Sequence, residues 1–426
     1  MLNFIPKKSF FGASIGTMVE YYDYVLFSML LPILAPLFFP AATAYQSLSK
    51  SYVIMFITMF SRPLGGIFFG YLGDTLGRRK ALLMSLYGIA LATAAIGLTP
   101  SYLTIGAWAV VLITIAKTIQ TFCFAGEYNG AGIYVIEHAQ NNKDAFVGSL
   151  LSTTTIFGSL IASFIGYIVT FSFMPVWSWR LAFIFGALIG VFGILYRKNL
   201  TESPDFKQAD SRQQSFMSML KLYPREIVAC IFIGGFITVP YVTVLGFISP
   251  VLTTKGFYNN HQFMLLQTVL NIIGIIAIPI AGLIADKTST KIVMKFACWA
   301  LVLISYPLLC LVDTFHLPNL VFALIMIVII NEIMLGPSYA YLNKLFIMQY
   351  RYRAISFGFC IGMSMFSGLT PIIENYLYQL TGKFSAVSLW LIFIGLGTYL
   401  SMLAAEKKSP VTKPSTFFDP LYNKNE

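Results

Sequence analysis

The stretch that decides the fold runs from Arg62 to Lys80 and reads RPLGGIFFGYLGDTLGRRK. Its glycines let a helix approach its neighbours closely in lipid, and the glycine at position 77 suits a tight turn. Asp74 precedes Arg78 by four residues, the spacing at which an acid and a base pair on a helix. The stretch therefore predicts a membrane helix that slides against a neighbour and ends in a charged latch. The predicted latch comprises Gly70, Asp74, Gly77, Arg78 and Arg79.

The composition of the whole chain indicates that lipid is its solvent. Of the 426 residues, 57% are hydrophobic and 11% are charged, so a water-soluble chain would lack the polar surface to cover its apolar residues. Apolar segments of the roughly 20 residues that a membrane helix needs follow one another from end to end. Alternating segments of roughly 10 residues, typical of a membrane β-barrel, are not visible. We therefore predict an all-α membrane protein.

Apolar runs bounded by charges, glycine, proline or asparagine predict twelve transmembrane helices. They lie at 11–38, 52–73, 81–99, 102–135, 145–170, 180–197, 225–250, 261–285, 291–312, 318–343, 354–380 and 386–405. Basic residues concentrate in alternate loops, on the side that also holds both ends of the chain. This pattern predicts cytoplasmic termini, and it assigns the net charge of +11 to membrane orientation and not to nucleic acid.

A polar linker divides the predicted helices into two halves. The expected division is an N-terminal six-helix bundle at 1–197, a cytoplasmic linker at 198–224, a C-terminal six-helix bundle at 225–406 and a cytoplasmic tail at 407–426. A repeat supports this division, because Gly-Tyr-Leu-Gly-Asp ending at Asp74 has the counterpart Gly-Leu-Ile-Ala-Asp ending at Asp286. Asp286 therefore joins the predicted latch.

The sequence shows no pattern for a cofactor or for enzyme chemistry. The five cysteines lie in apolar segments without metal or disulfide spacing, and the three histidines are scattered. A glycine-rich phosphate loop with the Lys-Ser/Thr pair that ATP use requires is missing. We expect no enzyme, no metal and no cofactor, so transport draws on an ion gradient or on the solute's own gradient.

Few ionisable side chains are predicted at membrane depth, and each is a functional candidate because a charge in lipid is costly. Glu20 and Asp23 stand three residues apart on one helix face, and Arg62 lies at a comparable depth on the next helix. Two carboxylates near an arginine suit a proton-coupling site, since a proton on one of them frees the arginine. The alternative is a static ion-pair cluster that fixes the packing of these two helices.

A second polar group lies on the helix predicted at 102–135. At about 100° per residue, Lys117, Gln120, Glu127 and Tyr128 share one broad stripe, with glycines 126 and 130 on the opposite face. We expect this helix to pack through its glycines and to present the stripe to a central cavity. Lys117 and Glu127 would there bind the carboxylate and the cationic group of a zwitterion. Alternatively, they neutralise other residues of the bundle.

The second half offers fewer candidates. Glu332 is predicted at mid-membrane depth, and Tyr241 is able to hold a cationic group by cation–π attraction. Both are candidates to shape the solute's pocket, although 16% of the chain is aromatic and an ordinary helix contact is the alternative for Tyr241. Glu374 is expected near the outer membrane surface as an interfacial residue.

Several motifs resemble one family of carriers. The pattern Gly-x-Leu-x-Asp-x-x-Gly-Arg-Arg-Lys over residues 70–80 resembles the hallmark loop of the major facilitator superfamily. Further matches resemble its metabolite:proton symporter family, with the proline/betaine carriers as the closest branch because Lys117 stands where many relatives have Arg. These matches are Glu20–Tyr24, Arg62–Gly66, Pro100–Gly106, Gly126–Ala131 and Thr201–Pro204.

The residues and the resemblance together predict a secondary active transporter of the cell inner (plasma) membrane. It would take up a small zwitterionic or carboxylate solute, a proline/betaine-like osmolyte or an organic acid, with protons and by alternating access. The expected partners are the solute, protons and the lipid bilayer, without nucleic acid, and the expected state is a monomer. One alternative is a proton-antiport exporter, disfavoured because residues 158–166 contain no proline. The other is a non-transporting membrane sensor, disfavoured because the linker and tail are short.

Overall fold

The structure is a computed structural model, and every regular element in the part of the chain that it describes is a helix. The described residues are 5–41, 47, 50, 51, 54, 57–139, 143–169, 171, 173–198, 200–203, 206, 215–254, 256–257 and 260–407. Parts of the predicted second helix, of the linker and of the tail lie outside these residues, as does Pro204.

The helices follow one another with short connections. In chain order they are α1 (Lys7–Phe38), α2 (Ser61–Thr75), α3 (Arg78–Leu98), α4 (Tyr102–Ile105), α5 (Ala107–Glu137), α6 (Asp144–Val169), α7 (Trp179–Arg197), α8 (Phe216–Leu222), α9 (Pro224–Val242), α10 (Ser249–Thr254), α11 (Asn260–Lys287), α12 (Thr290–Val312), α13 (Leu317–Leu345), α14 (Met348–Thr381) and α15 (Ser388–Glu406). A π-helical segment, Thr243–Ile248, joins α9 to α10, and a 3₁₀ turn, Phe384–Val387, precedes α15.

Within the described residues, ten helices are long and apolar enough to cross a membrane by length and composition. They are α3, α5, α6, α7, α9 with the π segment, the greater part of α11, α12, α13, α14, and α15 with its 3₁₀ turn. Large apolar side chains are exposed on the outside of these helices, and Leu91 and Leu188, for example, are 72% and 62% exposed. Such a surface is suited to lipid and not to water.

Two predicted helix boundaries need correction. The helix predicted at 102–135 is interrupted at Gly106, whose φ of 60° favours glycine, so that α5 begins at Ala107. The helix predicted at 354–380 begins at Met348, which makes Arg351 and Arg353 helical and not part of a loop. Their basic character suggested a loop, but both side chains pair with acids of the first half, Arg351 with Glu137 and Arg353 at longer range with an acid of α2.

The longer helices pack in two groups. The N-terminal group comprises α1, α2, α3, α5, α6 and α7, and the C-terminal group comprises α9 and α11 to α15. The two groups meet mainly where α2 lies against α14 and where α6 lies against α11 and α13. Glycines line these contacts: a Cβ on Gly66 would lie 2.8 Å from the Ser356 carbonyl oxygen, and one on Gly282 would lie 2.8 Å from that of Ala145. Small residues therefore allow the groups to touch backbone to backbone.

Candidate transport site

A cavity lies between the two groups of helices. It encloses about 1390 Å³, including open solvent at its mouth, and α1, α2, α5 and α6 face α9, α11, α13 and α14 across it. Most of its wall is apolar, with polar and charged side chains at a few points. Those points include Glu20, Tyr21, Tyr24, Arg62, Lys117, Thr121, Tyr241, Gln267, Asn271, Asn331 and Glu332.

The N-terminal wall holds an ion pair between Glu20 and Arg62. Arg62 Nη2 donates to Glu20 Oε1 at 3.1 Å, and the Glu20 side chain is 1% exposed. Oε2 of Glu20 is buried and has no hydrogen-bond partner among the described residues. The Arg62 guanidinium also lies 6.0 Å from the ring centroid of Phe124. One oxygen of the acid is thus paired, while the other is open to a proton.

Asp23 does not join this pair, although it lies one turn from Glu20 on the same helix. Its Oδ2 accepts hydrogen bonds from the Thr93 hydroxyl and, at 3.3 Å, from Gln120 Nε2. Gln120 in turn accepts from Lys117 Nζ at 2.6 Å. Asp23 is fully buried and is not part of the cavity wall. The predicted cluster of two acids and one arginine is therefore two sites, because three residues on a helix turn the side chains about 60° apart.

Lys117 is the charged residue of α5 that reaches the cavity. Its ammonium group lies 4.2 Å from the ring centroid of Phe27, and it forms no ion pair with the described carboxylates. Its hydrogen bond to Gln120 links it to Asp23 through one amide. The ammonium group of Lys117 is therefore held in place at the cavity, and the Gln120 amide separates it from the carboxyl group of Asp23.

The rest of the predicted stripe on α5 turns away from the cavity. Glu127 forms a fully buried ion pair with Arg197 of α7 and accepts a hydrogen bond of 2.9 Å from Ser85. Tyr128 stacks on Phe359, with ring centroids 5.6 Å apart. Neither residue lines the cavity, so the structure does not bring Glu127 or Tyr128 to a solute there. Gln120 is also absent from the wall and reaches it only through Lys117.

The glycines of α5 pack as the helical wheel predicted. A Cβ on Gly126 would lie 2.8 Å from Cβ of Phe69 on α2, and one on Gly130 would lie 2.7 Å from Cζ of Tyr352 on α14. The Tyr352 hydroxyl donates to the Gly126 carbonyl oxygen at 2.7 Å. Through this face α5 therefore contacts α2 and α14.

The C-terminal wall carries Tyr241 and Glu332, both at the cavity as predicted. Glu332 is 6% exposed, forms no ion pair with a described residue, and has a buried Oε2 without a hydrogen-bond partner. Glu374, predicted near the outer surface, is buried inside the protein. It is 0% exposed and lies against Thr243 at the start of the π segment, because α14 and α9 pack along this length.

The latch joins the two groups of helices at the ends of α2 and α3. Asp74 accepts from Arg78 Nη1 at 2.9 Å, the pairing that the sequence predicted. It also accepts from the backbone N–H groups of Tyr352 and Arg353, at 3.2 and 3.1 Å, near the start of α14. Close approach is allowed by Gly70, where a Cβ would lie 2.6 Å from Cα of Arg353.

Asp286 makes the matching contact in the opposite direction. Its two oxygens accept from the backbone N–H groups of Ala145 and Phe146, at 3.0 and 2.9 Å, in the first turn of α6. An acid at a helix N-terminus satisfies free N–H groups and complements the helix dipole. Each half therefore binds two backbone N–H groups near the start of a helix of the other half through the last acid of its repeated motif.

Glu137 and Glu202 are parts of the latch that sequence reasoning missed. Glu137 binds Arg78 at 3.3 Å, Arg351 at 3.1 Å and the Ser203 hydroxyl at 2.6 Å. Glu202 accepts from the backbone N–H groups that open α3, at 2.8 and 3.2 Å, beside the Gly77 turn. The signal available was the position of both acids at helix or linker ends. The Gly77 φ of 104° agrees with the predicted turn, and Arg79 donates to the Lys198 carbonyl oxygen.

Membrane-length helices around a cavity that holds unpaired charges define a membrane transport protein, and the comparisons with known proteins agree. The family model of sugar (and other) transporters matches residues 10–220. The proline/betaine transporter of Escherichia coli K12 is 29% identical over 394 residues, 88% of this chain and 78% of that protein. A glycine betaine/proline/ectoine/pipecolic acid transporter of Dickeya dadantii is 28% identical over 94% of this chain and 84% of its own length.

Solved structures show the same fold. The proton:xylose symporter XylE bound to 6-bromo-6-deoxy-D-glucose superposes with a TM-score of 0.79 at 15% identity, covering 95% of each chain. The transporter FucP in its outward conformation gives a TM-score of 0.70 at 16% identity, covering 93% of this chain and 98% of that one. The resemblance of the chain to the major facilitator superfamily, and within it to the proline/betaine transporters, is therefore confirmed. It is a multi-pass transport protein of the inner membrane and not an enzyme.

Proposed function

We propose that this chain takes up a small zwitterionic or carboxylate solute together with protons, by alternating access. The observation that carries the proposal is the Glu20–Arg62 ion pair in the wall of a cavity between the two helix groups. A carboxylate at this depth is costly unless a partner or a proton neutralises it. The names of the curated relatives, proline/betaine transporters among them, support the solute class.

The proton would bind at Glu20. Protonation cancels the charge that holds Arg62, so the guanidinium becomes available to a carboxylate in the cavity. Departure of the solute and of the proton restores the pair. Asp23 acts indirectly in this scheme, because its hydrogen bond to Gln120 connects it to Lys117 at the cavity.

The solute would bridge the two groups of helices. Lys117 and the released Arg62 would hold its carboxylate from the N-terminal side, and Glu332 with Tyr241 would hold a cationic group from the C-terminal side. We assign Gln120 to positioning Lys117, and Glu127 and Tyr128 to packing within the first group. A zwitterion satisfies both walls, whereas an organic acid satisfies the N-terminal wall alone.

Alternating access requires the groups to rock as units. We propose twelve transmembrane helices in two six-helix bundles, at 1–197 and 225–406, with a cytoplasmic linker and cytoplasmic termini. The latch contacts of Asp74 and Asp286 hold the bundles together on one side of the cavity, which makes that side the closed one here. Their release would open the cytoplasmic side and admit the solute to the cell.

The energetics suit uptake. Moving one net positive charge inward yields about 2.3 kcal/mol per 100 mV of membrane potential, and each 1.4 kcal/mol raises a concentration ratio about tenfold. A proton moving with a zwitterion carries one such charge. A pH gradient adds to this driving force. The two together suffice to concentrate the solute by orders of magnitude.

The test is uptake into proteoliposomes that contain the purified full chain. Proline, betaine, shikimate, citrate and 2-oxoglutarate are compared as radiolabelled solutes under an imposed pH gradient, with and without a protonophore. We expect one solute to accumulate above its external concentration and the protonophore to abolish the gain. Accumulation of none of the solutes, or accumulation indifferent to the protonophore, would contradict the proposal. Solute efflux driven by the same gradient would favour the antiport alternative.

A further inference from the structure

Glu374 is a buried acid that the proposed transport site does not use. It lies on α14 with 0% exposure and is not part of the cavity wall. One oxygen, Oε1, is within hydrogen-bonding distance of the Thr243 hydroxyl, and Oε2 is buried without a partner among the described residues. Thr243 is the first residue of the π segment, so the acid contacts α9 where its hydrogen-bond pattern changes.

If Glu374 is ionised, this contact has too few donor hydrogen atoms for its acceptors. A threonine hydroxyl has one hydrogen to donate, but Thr243 Oγ1 has two acceptors beside it, Glu374 Oε1 and, at 2.9 Å, the Val239 carbonyl oxygen. One hydrogen serves only one of them. If Glu374 is protonated, its own O–H donates to Oγ1 and the threonine donates to Val239, so both contacts become hydrogen bonds.

Asp23 provides the contrast within the same chain. Its neighbour Thr93 accepts a hydrogen bond of 2.9 Å from Gln120 and is left free to donate its one hydrogen to Asp23. Gln120 donates to Asp23 as well. When Asp23 is ionised, each of these hydrogen atoms of Thr93 and Gln120 is donated to one acceptor. Matching donors to acceptors in the same way therefore favours an ionised Asp23 and a protonated Glu374.

The described residues supply Glu374 with one hydrogen bond and no opposite charge. No ion pair joins it to a described basic residue. On α14 the next titratable groups are Tyr376, which is 62% exposed, and Tyr378, which packs against Phe247 and Phe384 with ring centroids 5.9 and 4.8 Å away. Asp313 is occupied by the backbone N–H of Phe384, and Tyr241 of α9 lines the cavity. An ionised carboxylate with a single hydrogen bond at such a site is costly, whereas an unpartnered carbonyl oxygen is tolerated better.

We propose that Glu374 is a second proton-binding site, in the C-terminal group of helices, and that it carries its proton in the conformation seen here. The proton sits on Oε1 and is donated to Thr243 Oγ1. Val244 and Leu245 of the same π segment line the cavity, so the proton also holds one part of the cavity wall in place. This site is separate from Glu20 and stands whether or not the coupling role of Glu20 is correct.

The test is infrared spectroscopy of the purified full chain in lipid nanodiscs, in H₂O and D₂O. A protonated carboxyl group gives a C=O band that is distinct from that of a carboxylate and shifts in D₂O. We expect Glu374→Gln to remove the intensity of one such group at neutral and mildly alkaline pH. Asp23→Asn is the matched control, because an ionised Asp23 contributes no protonated band. Undiminished intensity in Glu374→Gln would show an ionised acid and overturn the proposal.

A second pair of variants keeps Glu374 itself in place. Thr243→Val removes the oxygen that accepts the Glu374 proton, and Thr243→Ser retains it. We expect the protonated band to move to the frequency of a weaker hydrogen bond in the valine variant and to stay unchanged in the serine variant. A band unaffected by Thr243→Val would contradict the proposal even if Glu374→Gln fails to fold.

Discussion

Glu20 and Arg62 form an ion pair at 3.1 Å in the wall of the cavity, while Asp23, one turn along α1 from Glu20, binds Thr93 and Gln120 in a separate buried site. Two acids that share a helix face therefore have different partners and different exposure to the cavity. This difference divides the polar residues of the chain into those that a solute or proton reaches and those that hold the helices together.

Replacing Glu20 should abolish proton coupling while leaving solute binding in place. In Glu20→Gln the side chain is neutral at every pH, so the pH gradient no longer loads the proposed coupling residue, and we expect gradient-driven accumulation to be lost. Exchange of labelled for unlabelled solute without a gradient should persist, because the cavity remains. The measurement is accumulation against counterflow in proteoliposomes, with Asp23→Asn run in parallel. Full accumulation in Glu20→Gln would remove Glu20 from the coupling step.

Removing the ammonium group of Lys117 should weaken solute binding. A hydrogen bond to a charged group contributes about 1.5–3 kcal/mol, which is on the order of 10- to 100-fold in affinity. We expect Lys117→Met to raise KM by that factor for carboxylate-bearing solutes, and Lys117→Arg to retain most of the affinity. Initial uptake rates over a range of solute concentrations provide the values. Equal KM in the methionine variant and the original chain would show that the solute does not contact this residue.

Glu332 should discriminate between solutes by their charge. In Glu332→Gln a zwitterion loses the partner of its cationic group, whereas an organic acid loses nothing. We therefore expect weaker competition by proline or betaine and unchanged or stronger competition by a monocarboxylate that lacks the cationic group. Competition against the labelled solute measures both. A uniform loss of affinity for both kinds of competitor would instead indicate a general distortion of the cavity.

The latch should set the balance between conformations. Asp74→Asn weakens the interaction with Arg78 and with the backbone N–H groups of α14, and charged hydrogen bonds of this kind contribute about 1.5–3 kcal/mol. We expect the closed side to open, with a longer distance between spin labels at Lys80 and Lys287 in pulsed electron resonance. Gly70→Ala should act in the same direction, because its Cβ would lie 2.6 Å from an α14 backbone atom.

Gly166→Ala is the control for the glycine variant. A Cβ there would meet its nearest neighbour, a Leu26 side-chain atom, at 3.9 Å, which is an ordinary contact. The label distances should therefore match those of the unsubstituted chain. If Gly70→Ala also leaves them unchanged, the contact between α2 and α14 does not control opening.

Glu127 should be a residue of stability and not of solute recognition. Its fully buried ion pair with Arg197 means that Glu127→Gln leaves an arginine without a counter-charge, and breaking such a pair costs about 3–5 kcal/mol. We expect a lower thermal unfolding temperature in detergent, with unchanged KM in the protein that folds. An altered KM at unchanged stability would return Glu127 to the binding site.

The helices and the sites were predictable to different extents. Helix positions followed from the length of apolar runs and agreed within a few residues for most of the described elements, because lipid demands that length. The start of α14 was misplaced because Arg351 and Arg353 resemble loop residues until their acidic partners in the other half are known. Glu127 was predicted at the cavity for the same reason, since Arg197 lies 70 residues away in the chain.

The sequence by itself determined that this chain lies in a membrane as helices, and that Asp74 pairs with Arg78, four residues further along the chain. These features depend on composition and on separations of a few residues. Only the tertiary structure decided that Asp286 caps α6, that Glu20 and Asp23 have different partners, and that Glu374 is buried against the π segment. The physical reason is that each of these contacts depends on which faces of distant helices lie together. A polar stripe identifies a face, but the neighbour that satisfies it is chosen by packing.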